Sequence, residues 1–283
     1  MWKNAKMFLC KGEIKMRRSG KILTGAMLLF GMTIITAQPA HATVIKNSFL
    51  KTQRTITTYN SKKQVKLTIP KGTTVQVAGI KHAKGNKYVD LNVERLSYNI
   101  RKPLLGKKNP GIYTRWIRAK GYNFKQVHKP VYLSYFAAQS DGKKTLNKVK
   151  TENGNLWKGD RLPVDYASAT STRLRITSNG YLEYFAKSPF VYKVSAKPTH
   201  SIKVLSASHP TASGKTILTV KSKFSGLPFV KKAHHYQLTI FNYDHGTITV
   251  VPNDNNVKKI LTNWIFKVGK EIWYENNSVT TFK

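Results

Sequence analysis

Apolar residues recur at every second position in short bursts along this chain. Val75 and Val77, then Val89, Leu91 and Val93, then Leu174 and Ile176, then Leu238 and Ile240 alternate with polar neighbours. Successive side chains of an extended strand point to opposite faces, so this pattern buries one face and wets the other. Turn signals fall between the bursts: Lys84-Gly85-Asn86, Asp141-Gly142, Asn179-Gly180 and His245-Gly246. Short strands at this spacing predict a mainly β chain, made of small barrels or sandwiches in tandem. One stretch competes. Val257, Ile260, Leu261, Trp264, Ile265 and Val268 hold a helical spacing, with Asp254 or Asn255 to cap it and Gly269 to end it. We expect one C-terminal helix there, although the same stretch also reads as a hairpin turning at Gly269-Lys270.

The start of the chain reads as an address. Lys15, Arg17, Arg18 and Lys21 precede an apolar run from Ile22 to Ala37, and Ala40-His41-Ala42 follows. A cationic cluster, a short apolar run and a small-x-small site make a secretory signal peptide over residues 1–42, cut after Ala42. The run is shorter than the roughly 20 residues a membrane helix needs, so no integral span is expected after cleavage. Retention as an uncleaved anchor is the alternative, and Met16 is an alternative start.

Charge then decides what kind of partner fits. The chain holds 49 Lys and Arg against 12 Asp and Glu. Cleavage would remove seven of the bases and one acid, leaving +31 on the mature chain. It would also remove Cys10 and every Met, so the mature chain would lack both sulfur residues. That suits an oxidising, extracellular setting and excludes a thiol nucleophile. Such an excess of cations attracts anionic polymers at long range. The mature cations are 34 Lys to eight Arg, and Lys is a hydrated point charge without the planar fork that reads bases. Nucleic acid is therefore expected to bind only non-specifically.

Three regions follow the signal: a β module at 43–105, a second β-rich module at 106–198 and a C-terminal β-rich region at 199–283. Ala196–Thr199 and the Ser/Ala/Pro-rich 206–214 are candidate linkers. A weak internal repeat pairs 67–77 with 155–164 and 88–104 with 173–190. The order Tyr59-Asn60-Ser61-Lys62, Pro70-Lys71-Gly72-Thr73, Val75-x-Val77, Gly85-Asn86-Lys87-Tyr88-Val89 resembles the bacterial SH3-like and lactobacillus surface-layer-associated wall-binding modules. A looser second copy has Lys158-Gly159-Asp160 and Asn179-Gly180-Tyr181-Leu182. The resemblance is best over 43–105, poor over 129–190 and absent from 199–283. It implies SH3-like barrels and attachment to wall glycan or teichoic acid, with no catalytic residues to carry over.

The most informative segment is 106–130, which contains no acid. Lys107, Lys108, Arg115, Arg118 and Lys120 interleave there with Tyr113, Trp116 and Tyr122. Cations bind phosphates or uronates, and aromatic rings stack on sugars or on cationic stems. These eight residues are the candidate polyanion site; the alternative is two strands with buried aromatics and a solvated Lys face. Tyr59, Tyr88, Trp157 and Tyr181 are further aromatic candidates.

Signs of catalysis are sparse. Asp160, Asp165 and Glu183 are the one carboxylate group near a Trp, as a glycosidase pair would need. His234, His235 and His245 with Asp244 match no zinc spacing. No cofactor and no metal are expected. The sequence thus reads as a secreted, non-enzymatic, cell-wall-associated surface protein of a Gram-positive bacterium. Its expected partner is anionic wall polymer, teichoic acid or peptidoglycan, held non-covalently. A wall-modifying glycoside hydrolase and an adhesin for anionic host glycans are the alternatives.

Overall fold

A computed structural model describes residues 44–59, 65–104, 116–136, 154–161, 169–189, 197–210, 213–251 and 258–282. The expected signal segment and the Asp141-Gly142 turn lie outside those residues. The chain is mainly β, and its strands gather into small barrel-like units.

The first unit contains β1 (Phe49–Thr52), β2 (Ile56–Tyr59), β3 (Lys66–Ile69), β4 (Thr74–Ala83), β5 (Asn86–Leu91), β6 (Ile117–Arg118) and β7 (Phe124–Val127). Five of them form an antiparallel sheet in the order β6-β5-β4-β1-β7, and β2 pairs with β3 apart from it. The alternation seen in the sequence explains the sheet. Val75, Val77, Val89 and Leu91 are all buried, and their polar neighbours face away. Lys84 and Gly85 turn β4 into β5 with φ of 48° and 68°, the left-handed pair that a two-residue hairpin favours. Leu67 and Ile69 from β3 complete the core with Leu96, Ile100 and Leu104. Those three come from a short helical stretch: a 3-10 turn at Val93–Arg95, α1 (Tyr98–Arg101) and a second 3-10 turn at Lys102–Leu104.

The second unit contains β8 (Asn155–Lys158), β9 (Thr170–Ile176), β10 (Tyr181–Pro189), β11 (His200–Ser208), β12 (Lys215–Val220), β13 (Val230–Lys232), β14 (His235–Val251), β15 (Lys258–Val268) and β16 (Glu271–Phe282). The order is β12-β11-β10-β9-β8-β16-β15-β14-β13. β12 also pairs with β14, from Lys215 opposite Phe241 to Val220 opposite Tyr236. Eight antiparallel strands therefore close into a ring, and only the short β13 stays outside it. Closure removes the open edges that would recruit other chains. Leu174, Ile176, Leu182, Leu238, Ile240 and Trp273 fill the interior. A 3-10 turn at Val131–Phe136 adds Leu133, Tyr135 and Phe136 to the same core. Burying a side chain such as Leu174 contributes about 1.5–3 kcal/mol.

The two cores meet at β1, where Phe49 packs into the barrel core and its neighbour Leu50 into the first. A buried ionic knot joins α1 of the first unit to β9 and β10 of the barrel. Glu183 points off the outer face of β10, where Arg175 Nη2 lies 2.7 Å and Arg101 Nη2 2.8 Å from its Oε2. The Tyr98 backbone N–H donates to Oε1. Burial alone would raise the Glu183 carboxyl, but Arg175 and then Arg101 hold it below the usual carboxylate range. Beside it, Asn179 Oδ1 accepts the Ser97 N–H at 2.9 Å and its Nδ2 donates to Ser97 Oγ at 2.9 Å.

Four expectations need correction. The C-terminal helix is a hairpin of β15 and β16 that turns at Gly269, φ 64°. The helical spacing hid a period of two, because Trp264, Phe266 and Val268 face the barrel core together. β15 also has hydrogen-bonded strands on both sides, β14 and β16, and that long-range pairing overrides a local helical pattern. The expected turn at His245-Gly246 is crossed by β14 as one strand, with register shifts between Asn242 and Asp244 and between His245 and Thr247. Gly in a long strand marks such bulges. The stretch 206–214 is no linker between modules; it ends β11 and leads into the adjacent β12. The repeat also fails in three dimensions. Residues 88–104 run from β5 into helical turns, whereas 173–189 form most of the β9–β10 hairpin.

Candidate polyanion-binding face

The register of three strands builds the face. Lys81 on β4 sits opposite Tyr88 on β5, and Tyr88 sits opposite Arg118 on β6. Directly paired residues share a face of the sheet. Trp116 precedes Arg118 by two residues, and its indole reaches over to β4. Gly79 lets it do so, because a Cβ there would meet Trp116 Cη2 at 3.0 Å. Lys81 Nζ then lies 4.7 Å from the Trp116 ring centroid and 5.9 Å from that of Tyr88. Arg118 is turned aside: its Nε donates to Asn86 Oδ1 at 2.7 Å.

A second group stands on the turn before β7. Tyr122 is 54% exposed, with the Arg54 guanidinium 4.8 Å and Lys120 Nζ 5.8 Å from its ring centroid. Trp116 is 39% exposed. Ring faces attract cations, so these pairs hold each charge near a surface that also stacks on sugar or base. Nearby, β1 pairs with β7 so that Lys51 and Lys125 lie directly opposite, both exposed. Like charges placed so oppose folding. Among the described residues, no carboxylate bridges Lys51, Arg54, Lys81, Lys120 or Lys125.

No protein-family model, curated protein or solved structure matches this chain.

Of the eight residues singled out in the sequence, Trp116, Arg118, Lys120 and Tyr122 have described positions. Lys107, Lys108, Tyr113 and Arg115 lie outside the described residues. The four with positions split into two groups, Trp116 with Arg118 and Lys120 with Tyr122. Arg54 and Lys81 were missed. Lys81 was within reach, since counting outward from the Lys84-Gly85 turn pairs it with Tyr88. Nothing local to Arg54 reveals that it meets Tyr122.

The remaining candidates fall elsewhere. Trp157 is buried under the Arg173 guanidinium, 5.5 Å from its ring centroid, so it offers no stacking surface. Tyr59 stands at the end of β2, partly exposed. Glu183 is sealed by its two arginines and cannot serve as an exchanging acid or base. Asp160 is exposed beside Arg161 at 4.0 Å, and Asp165 lies outside the described residues. His234 is exposed in the turn between β13 and β14, next to His235 at the start of β14. Among the described residues no group of His, Cys, Asp and Glu could hold a metal. No helix among them is long and apolar enough to cross a membrane.

Tyr181 belongs to a different feature, a cleft of about 370 Å³ between the β3–β4 turn and the barrel. It is lined by Lys71, Asn99, Tyr132, Asn179, Tyr181 and Lys203 among others, with no carboxylate. Lys203 Nζ lies 4.7 Å from the Tyr181 ring centroid and donates to the Asn179 carbonyl at 2.7 Å.

Proposed function

We propose that this protein is secreted to a Gram-positive cell surface and grips anionic wall polymer there without covalent attachment. The observation that carries this reading is the face just described, where exposed Arg54, Lys81 and Lys120 rest on exposed aromatic rings with no carboxylate bridging them among the described residues. Cations so arranged suit a repeating phosphate or carboxylate, and the rings suit the sugars between the charges. The excess of Lys over Arg favours loose, mobile attraction along a polymer over reading of a fixed sequence. Closure of the barrel and the like-charged surface favour a protein that stays dispersed at high local concentration.

The test is retention on walls. Producing cells are washed in rising chloride, and the protein is followed in supernatant and pellet. Release between about 0.1 and 1 M is expected, the range over which exposed ion contacts are screened. Purified walls stripped of teichoic acid should then lose most of the binding. Protein already free in the medium without salt refutes the proposal. Turbidity loss of walls on adding the protein would instead favour a hydrolase.

A further inference from the structure

A cleft between the two units lies apart from the exposed face. We infer that it takes a short acidic saccharide, one or two sugar units bearing a phosphate or carboxylate. The inference uses the reading above only for where such a sugar would come from.

Three features of the cleft point to this ligand. Its volume, about 370 Å³, falls in the range of about 300–1,000 Å³ typical of small-molecule sites. Its charge is of one sign: Lys71 reaches it from the β3–β4 turn and Lys203 from β11, with no acid in the lining. Lys203 keeps two of its three N–H donors beyond the bond to the Asn179 carbonyl. Lys203 is exposed in the strand, and the partial desolvation at its ammonium holds it below the ordinary lysine range. Its remaining lining suits sugar: Tyr132 and Tyr181 are half-buried rings, and the Asn99 side chain is exposed toward solvent.

The cleft is also held in shape before any ligand arrives. Tyr132 Oη donates to the Ser178 carbonyl at 2.7 Å, and Asn179 is locked to Ser97 by two hydrogen bonds. Gly180, φ 75°, brings the turn against Tyr132, since a Cβ there would lie 3.3 Å from that ring. A site fixed in this way loses little freedom on binding. Residues from both units line it, so it forms only where the β3–β4 turn and the β9–β10 turn come together.

The experiment titrates the purified full chain with glucose 6-phosphate, glucuronate, glucose and inorganic phosphate. Calorimetry and amide chemical shifts are read at about 0.15 M salt, where diffuse attraction is damped. We expect saturable binding of both acidic sugars, with shifts centred on Tyr132, Asn179 and Tyr181. Glucose and phosphate alone should each bind about tenfold more weakly or worse. Lys203→Gln and Lys71→Gln should each weaken the acidic sugars by about tenfold, the usual worth of a charge-assisted hydrogen bond. Lys231→Gln, on the exposed strand β13 and outside both sites, should leave sugar binding unchanged. Equal binding of glucose, or binding untouched by Lys203→Gln and Lys71→Gln, overturns the proposal. Sugar binding without retention on walls would sink the wall reading and keep the cleft. Retention on walls without sugar binding does the reverse.

Discussion

Glu275 offers a direct test of how the barrel interior is balanced. It is 1% exposed and shares the inward side of β16 with Trp273. Arg95, Lys129, the Gly154 amide and Tyr135 face it. Burial pushes its carboxyl up to about 8, more than Arg95, the Gly154 amide and Lys129 draw it down. The acid is therefore neutral in the folded chain at pH 7, whereas in the unfolded chain it ionises near its ordinary 4.5. A raised folded value means that stability is fully present below pH 4.5 and is lost as pH climbs to 8. At about 1.36 kcal/mol per pH unit, the loss reaches about 3 kcal/mol at pH 7 and levels off near about 4 kcal/mol at pH 8, where the folded acid is itself half ionised. Glu275→Gln keeps the shape of the neutral acid and cannot ionise. Urea unfolding of the two proteins at pH 4.5, 6, 7 and 8 reads the difference. The variant should match the parent within about 1 kcal/mol at pH 4.5 and gain on it steadily above that. A flat difference across pH, or a variant less stable at pH 8, would mean that Glu275 is ionised and paired with Arg95 or Lys129, and the reasoning would be wrong.

Further outcomes follow from other parts of the fold. Glu183→Gln should cost about 3–5 kcal/mol in urea unfolding, because it leaves Arg101 and Arg175 buried without their shared carboxylate. Since that carboxyl is depressed in the fold, the Glu183 contribution should fade as pH drops below 4.5, opposite in sign to Glu275. Gly154→Ala should destabilise by at least about 1–2 kcal/mol, since its φ is 56° and a Cβ would lie 2.7 Å from Tyr135 Oη; an unchanged melting temperature would contradict that packing. Replacing Arg54, Lys81 and Lys120 together by Gln should flatten the salt dependence of teichoic acid binding by up to about three contacts' worth, read as the slope of log affinity against log salt. Lys125→Glu should stabilise the first sheet by about 0.2–1 kcal/mol through its pairing with Lys51, while weakening polymer binding.

Much of the β architecture was legible because it rests on local alternation. Val75, Val77, Val89 and Leu91 announced β4 and β5, and Lys84-Gly85 announced the turn between them. The barrel was not legible as a barrel. Its closure depends on β12 meeting β14, and its order interposes β16 between β8 and β15; no local pattern encodes such partners. The C-terminal hairpin misled for a related reason. Seven apolar residues fall within twelve: six of them hold a helical spacing, while Trp264, Phe266 and Val268 hold a strand's, and only the neighbouring strands decide. Trp116 and Tyr122 stood out as candidates because aromatics and cations are interleaved in an acid-free stretch. The Lys203–Tyr181 wall of the cleft could not, because 22 positions separate the two residues in the chain and β10–β11 pairing brings them together.

Under the proposed polymer binding, the like-charged pair Lys51–Lys125 would couple grip to firmness. Alone, the protein folds against its own repulsion at this edge of the sheet. A polyanion laid across it removes that repulsion, so binding and folding reinforce each other, and the melting temperature reports how much of the face is occupied. Salt then acts in two directions at once, loosening the hold on the polymer while shielding the empty sheet from itself. On the proposed wall attachment, a protein released into brine would leave as a sturdier molecule than one released into dilute medium.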